Sequence, residues 1–185
     1  MDIKDFLPEL RKMIQGPLQL VMADELFSSA IIFCKESKVV REVITLGDVV
    51  KGVEVDVTVT MPSVTPWAMA RVYNDDGNLD RGIDYIQNSK DKIIFLDDIK
   101  GVRIVPWLIP NDSQDIPVIL NDFKEEIAHG AAAKLYLQTN QSWTDGNQSA
   151  YHNRLFVEGF RKAWRMVLEQ YGNYYNPKIK NSYWM

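Results

Sequence analysis

A single cysteine, Cys34, excludes any internal disulfide. It ends the apolar run Ala30-Ile31-Ile32-Phe33-Cys34, where its expected role is that of a small buried hydrophobe. No segment approaches the roughly 18 uncharged apolar residues of a membrane span, and Met1-Asp2-Ile3-Lys4-Asp5 lacks the basic start and apolar core of a leader. The expectation is a soluble protein, made inside the cell, with no membrane partner. A glycine-rich phosphate loop is also missing, since Gly130 and Gly159 stand alone in helical surroundings. Only two histidines occur, His129 and His152. Glu125 and Glu126 precede the first, but no Glu-x-x-His or cysteine cluster accompanies either, so neither metal nor cofactor is expected. Cys34 paired with His129 or His152 would make a small hydrolase, yet no Asn/Asp orienter or oxyanion donor is indicated, and the chain is read as no enzyme.

What the chain does have is 46% hydrophobic residues over 185 positions, enough for one full core with a smaller subdomain attached. Its formal charge of −4 is uneven. Residues 1–147 carry 15 Lys/Arg against 23 Asp/Glu, net −8, while 148–185 carry 6 against 2, net +4. Such polarity suits contact with a partner of opposite charge, or head-to-tail contact between copies.

Apolar residues at Phe6, Leu7, Leu10, Met13 and Ile14 predict a short helix over 4–14, closed by Gly16, with Pro17 in the first turn of the next. Leu18, Met22, Leu26, Ala30, Phe33 and Cys34 predict that second helix, to about Ser37. The period then changes from 3.6 to 2. Val53, Val55, Val57 and Val59 alternate with polar residues as a half-buried strand does. Further strands are expected at Val40–Thr45, Trp67–Tyr73, Tyr85–Gln87, Lys92–Phe95 and Val102–Leu108. Turns are expected at 46–48, 74–78, 88–91 and 99–101, with a loop at 109–117. The acidic pairs Asp75-Asp76 and Asp97-Asp98 are read as turn formers rather than cation ligands.

Helical spacing resumes over Val118 to Leu137, with Phe123, Ile127, Ala131 and Leu135 as a ladder, and again over Gln148 to Tyr171, with Leu155, Gly159, Ala163 and Val167. Small residues on these faces let two helices approach closely. The expected architecture is α+β: a four-helix bundle from 1–38 and 118–171, an inserted antiparallel sheet or small sandwich over 39–117, and a C-terminal tail, 172–185. Gly172, Asn173 and Pro177 stop the last helix. Tyr174, Tyr175, Ile179, Tyr183 and Trp184 follow without helical period, so the tail either packs on its own domain or is buried by a partner. On the last helix Arg154, Arg161 and Arg165 form one stripe, with Lys162 and Trp164 nearby, a subunit-facing or DNA-facing surface. A nucleic-acid-binding protein is therefore the alternative reading, though net acidity argues against free duplex binding.

Leu26-Phe27-Ser28-Ser29-Ala30-Ile31-Ile32-Phe33-Cys34-Lys35-Glu36-Ser37 resembles the second helix of tailed-bacteriophage head-to-tail adaptor proteins. Ile127 through Leu135, then Trp143, then Ala150 through Phe156 and Gly159, resemble the closing hairpin of the same family, and the likeness spans about residues 5 to 170. Leu26 and Ile31 depart from it, standing where the family often has charge. The resemblance implies a virion structural protein that binds the portal as a ring, commonly of twelve subunits, and joins it to the next tail component, a nozzle or stopper. Genomic DNA would pass through the channel without sequence-specific binding. It also implies portal docking by the tail, through Tyr174, Tyr175, Lys178, Ile179, Lys180, Tyr183 and Trp184. Loops 74–82 and 109–117 are the expected contacts for the next component.

Overall fold

The structure, a computed structural model, describes residues 1–170. Its first helical segment begins with a 3-10 turn, Ile3–Phe6, that Asp2 opens by accepting the Lys4 amide at 2.8 Å. The chain continues directly into α1, Leu7–Met13, and Phe6, Leu7 and Leu10 are buried on one face as their spacing predicts. α2, Gln19–Ser37, buries Met22, Leu26, Ala30, Phe33 and Cys34. Two expectations about its start are corrected. Leu18 is 75% exposed, because it precedes the helix in extended conformation and so falls outside the helical phase. Pro17 lies two residues before the helix rather than in its first turn.

Seven strands follow: β1 (Ile44–Val49), β2 (Glu54–Asp56), β3 (Val64–Asn74), β4 (Gly77–Asn78), β5 (Tyr85–Ser89), β6 (Lys92–Phe95) and β7 (Ile99–Pro110). They make two antiparallel sheets, ordered β1-β7-β3-β4 and β2-β6-β5. β6 matches its expected span, and β3, β5 and β7 extend theirs. β1 begins later than predicted, residues 40–43 contributing only a bridge from Arg41 to Trp107. The long strand expected over 53–59 is cut to Glu54–Asp56, because its partner β6 is only four residues long. The faces still alternate, with Val57 buried between exposed Asp56 and Thr58.

The turns expected at 46–48 and 99–101 are irregularities inside β1 and β7 instead. Gly47 and Gly101 take positive φ, +78° and +62°, while the β1–β7 register shifts around them. Asp48 Oδ1 accepts the Gly101 amide at 3.1 Å and holds the irregularity closed. β3 and β7 also tolerate Pro66 and Pro106 within their ladder, which shifts register on both sides of Trp67 and Ala70.

After β7, residues 118–123 form a 3-10 helix before α3, Lys124–Tyr136, and α4, Gly146–Gln170. α3 packs against α1, α2 and α4, and α2 also packs against α4. The N- and C-terminal helix pairs thus pack together, with the antiparallel sheets inserted between them in the chain and joined to them through one end of the β3–β7 ladder. One apolar cluster, centred on Phe33, Leu26, Ile127 and Leu135, fills the helical end and takes in Val64 and Leu108 from the near end of the β3–β7 ladder. A second cluster, including Val72, Ile93, Phe95 and Ile104, lies between the two sheets.

Candidate functional site

Small residues bring α3 and α4 together. A Cβ on Gly130 would stand 2.8 Å from the Phe156 ring, and one on Gly159 would meet the Glu126 side chain, its Cβ at 2.8 Å. The ladder expected on α4 is corrected at one position: Phe156, not Leu155, is the buried residue, because its ring fills the space Gly130 leaves. Ser149 donates to the Ala133 carbonyl at 2.7 Å across the same seam. The α3–α4 hairpin reaches the end of α1 through Tyr136 of α3, whose hydroxyl donates to the Met13 carbonyl at 2.8 Å, and through Trp143 in its loop, which covers Gly16 just beyond α1.

His129 and His152 face each other across this seam, Nδ1 to Nδ1 at 2.8 Å, with the Tyr136 ring stacked on His152. At that separation one ring nitrogen donates and the other accepts, so a single hydrogen serves both. Burial lowers the pKa of each: against Glu125 and Glu126 for His129, and with the neighbouring His129 adding to the effect for His152. Among the described residues no group of three His, Cys, Asp or Glu is placed to hold a metal ion. Cys34 is buried in the helical cluster, and that burial pushes its thiol pKa up, which withholds the thiolate a nucleophile needs. The acidic pairs serve locally: Asp75 pairs with Arg103 at 3.0 Å, and Asp98 Oδ1 accepts the Lys51 amide at 2.8 Å.

Arg154, Arg161 and Arg165 all lie on the exposed face of α4. Glu158 stands among them, its Oε1 3.8 Å from Arg154 Nε. Trp164 is not part of that surface. It is half-buried against the helical cluster, and Lys38 Nζ sits 4.4 Å from its ring centroid and 4.1 Å from that of Trp107. Lys38 caps α2 in left-handed conformation, φ +57°, a position that commonly takes glycine and here aims a cation between two indoles. Tyr174, Tyr175, Lys178, Ile179, Lys180, Tyr183 and Trp184 lie outside the described residues.

The two loops expected to meet one tail component are far apart. Val64 pairs with Pro110 and Tyr73 with Arg103, so loops 74–82 and 109–117 flank opposite ends of the β3–β7 ladder, separated by roughly 30 Å of strand. The second loop is tied to the N-terminus: the Met1 amine meets Asp115 Oδ1 at 3.1 Å, and the Ile3 amide donates to the Ser113 carbonyl at 2.9 Å. It therefore belongs to the helical end.

Two concave surfaces complete that end. One, of about 540 Å³, opens between α2, α3 and α4 beside Ile32, Ala133, Leu137, Phe156 and Val157. The other runs from Met61 and Pro62 past Pro117, Val118 and Ile119 to Met166 and Gln170 on α4. Sequence reasoning missed the second. Its signal is Val118-Ile119-Leu120, three consecutive apolar residues of which only Leu120 is buried. No helix among the described residues is long and apolar enough to cross a membrane. No protein-family model matches the chain, and comparison with curated proteins finds no match.

Proposed function

We propose that the chain is a non-enzymatic virion structural protein, a head-to-tail adaptor that binds the portal as a ring and joins it to the next tail component. The observation that carries this reading is the packing of the N- and C-terminal helix pairs against each other, with antiparallel sheets inserted between them in the chain, the arrangement implied by the resemblance in α2, α3 and α4. We read the helices as a four-helix bundle and the sheets as a small sandwich projecting from it. In this account the bundle faces the portal, with residues 171–185 and the basic side of α4 as its docking surface. The far tip at 74–82 meets the next tail component, a nozzle or stopper, while 109–117 is reassigned to the portal-side end because it is bound to the N-terminus.

A ring needs a heterologous contact, one face of a subunit against a different face of its neighbour, and the hollow between α2, α3 and α4 offers such a face. Twelve subunits is the count the resemblance carries. The acidic body, net −8 over 1–147, suits a channel that lets genomic DNA slide without sequence-specific binding. No cofactor enters this function, and the protein is made in the host cytoplasm and resides at the head–tail interface of the virion.

Deleting residues 173–185 should abolish co-sedimentation with portal rings while leaving the circular dichroism spectrum of the domain intact. Portal binding that survives the deletion would remove the tail from this role. A nucleic-acid-binding reading retains one supporting observation, the exposure of Arg154, Arg161 and Arg165 together on α4.

A further inference from the structure

The groove that begins at Met61 and Pro62 is two hollows, of about 370 and 230 Å³, that share Val39, Arg41 and Ile119 as a common wall. Its apolar lip is uncovered: Val118 is 74% exposed, Ile119 45% and Met166 40%. Single exposed apolar residues are ordinary, but three along one concave surface mark a seat for another apolar group. The groove also opens onto Gln170, the last described residue, so the chain leaves the described domain at its mouth.

We propose that this groove is the docking seat of the chain's own residues 171–185. Two features favour that occupant. The segment carries Tyr171, Tyr174, Tyr175, Tyr183 and Trp184, five aromatics in fifteen residues, together with Ile179. Left in water that apolar area is costly, and the uncovered lip at Val118, Ile119 and Met166 offers it a surface to pack on. Fifteen residues reach at most about 50 Å when extended, ample for a path from Gln170 past Ile119 to Pro62. Tethering at the mouth also raises the local concentration of the segment, so a modest contact suffices.

Docking on a portal would then exchange one apolar seat for another. The self-contact itself does not rest on the adaptor reading, and its test contains no portal, so its failure leaves that reading untouched.

The test is hydrogen exchange on the full chain, compared with the double variant Val118→Asp, Ile119→Asp. Both positions are exposed, so the substitutions should spare the core, and unchanged protection in α2 and α3 serves as the check on folding. The expected result is that amides of 174–184 exchange at least roughly tenfold more slowly in the natural chain than in the variant, and that the variant matches a free peptide of the same sequence. Protection should not change over a hundredfold dilution. Three results overturn the proposal: free-peptide exchange in the natural chain, protection that persists in the variant, or protection lost on dilution, the last assigning the groove to another copy's segment.

Discussion

At the residue scale, two features of the α3–α4 seam carry predictions. His129 and His152 share one hydrogen at 2.8 Å, and both have pKa values lowered from the ordinary 6.5, chiefly by burial. A folded-state pKa below the unfolded one means that the neutral form is favoured by folding. The contribution is therefore complete above about pH 6.5 and is lost as pH falls through the lowered folded-state values. Urea unfolding should show stability dropping between pH 7 and pH 5, and the double variant His129→Gln, His152→Gln should flatten that dependence. An equal slope in the variant would assign the acid sensitivity elsewhere. Gly130 gives the second prediction. Alanine ordinarily gains about 1 kcal/mol over glycine inside a helix. Here the added Cβ would press on the Phe156 ring at 2.8 Å, and overpacking of that kind costs about 1–3 kcal/mol. Gly130→Ala should therefore lower the thermal midpoint, and a raised midpoint would show that the ring yields freely.

At the element scale, how much the sequence reveals depends on whether an element's fate is decided locally. α2 is readable because Met22, Leu26, Ala30, Phe33 and Cys34 repeat at helical spacing over its whole length. β6 is readable because turn chemistry bounds it on both sides. Leu18 misleads because hydrophobicity alone does not say where helical phase begins. Gly47 and Gly101 mislead because a positive φ serves a turn or an irregularity inside a strand equally well, and only pairing with the opposite strand decides between them. The candidate site divides in the same way. The exposure of Arg154, Arg161 and Arg165 follows from helical phase, whereas the groove at Val118 and Ile119 exists only where residues 39–41, 61–62 and α4 converge. The basic face of α4 yields a prediction of its own. Reversing two of its charges, Arg161→Glu with Arg165→Glu, should leave unfolding stability within about 0.5 kcal/mol, since both positions are exposed. The same variant should bind portal rings about tenfold more weakly, with most of the loss in association rate. If instead the natural chain shifts duplex DNA in a salt-sensitive way and the variant does not, the nucleic-acid reading gains.

At the scale of the whole molecule, the chain has two ends with different chemistry. The helical end gathers both chain-terminal helix pairs, the bound N-terminus, the basic face of α4, the hollow between α2, α3 and α4, and the groove at Val118 and Ile119. The other end is the second cluster between the sheets, tipped by the β3–β4 turn, where Asn74 Oδ1 accepts the Asp76 and Gly77 amides and Asp75 pairs with Arg103. The antiparallel β3–β7 ladder joins the two, a hydrogen-bonded ribbon with its near end in the helical core. A molecule built this way suits a position between two unlike partners, and its acidic body with a basic last segment gives each copy two unlike sides. The most direct test is electron microscopy of the full chain mixed with portal rings. The account predicts a closed ring of copies, twelve on a twelve-fold portal, with the helical end and residues 171–185 against the portal and the 74–82 tip pointing away. Portal rings that remain bare at saturating protein, or copies attached by the 74–82 tip, would contradict it.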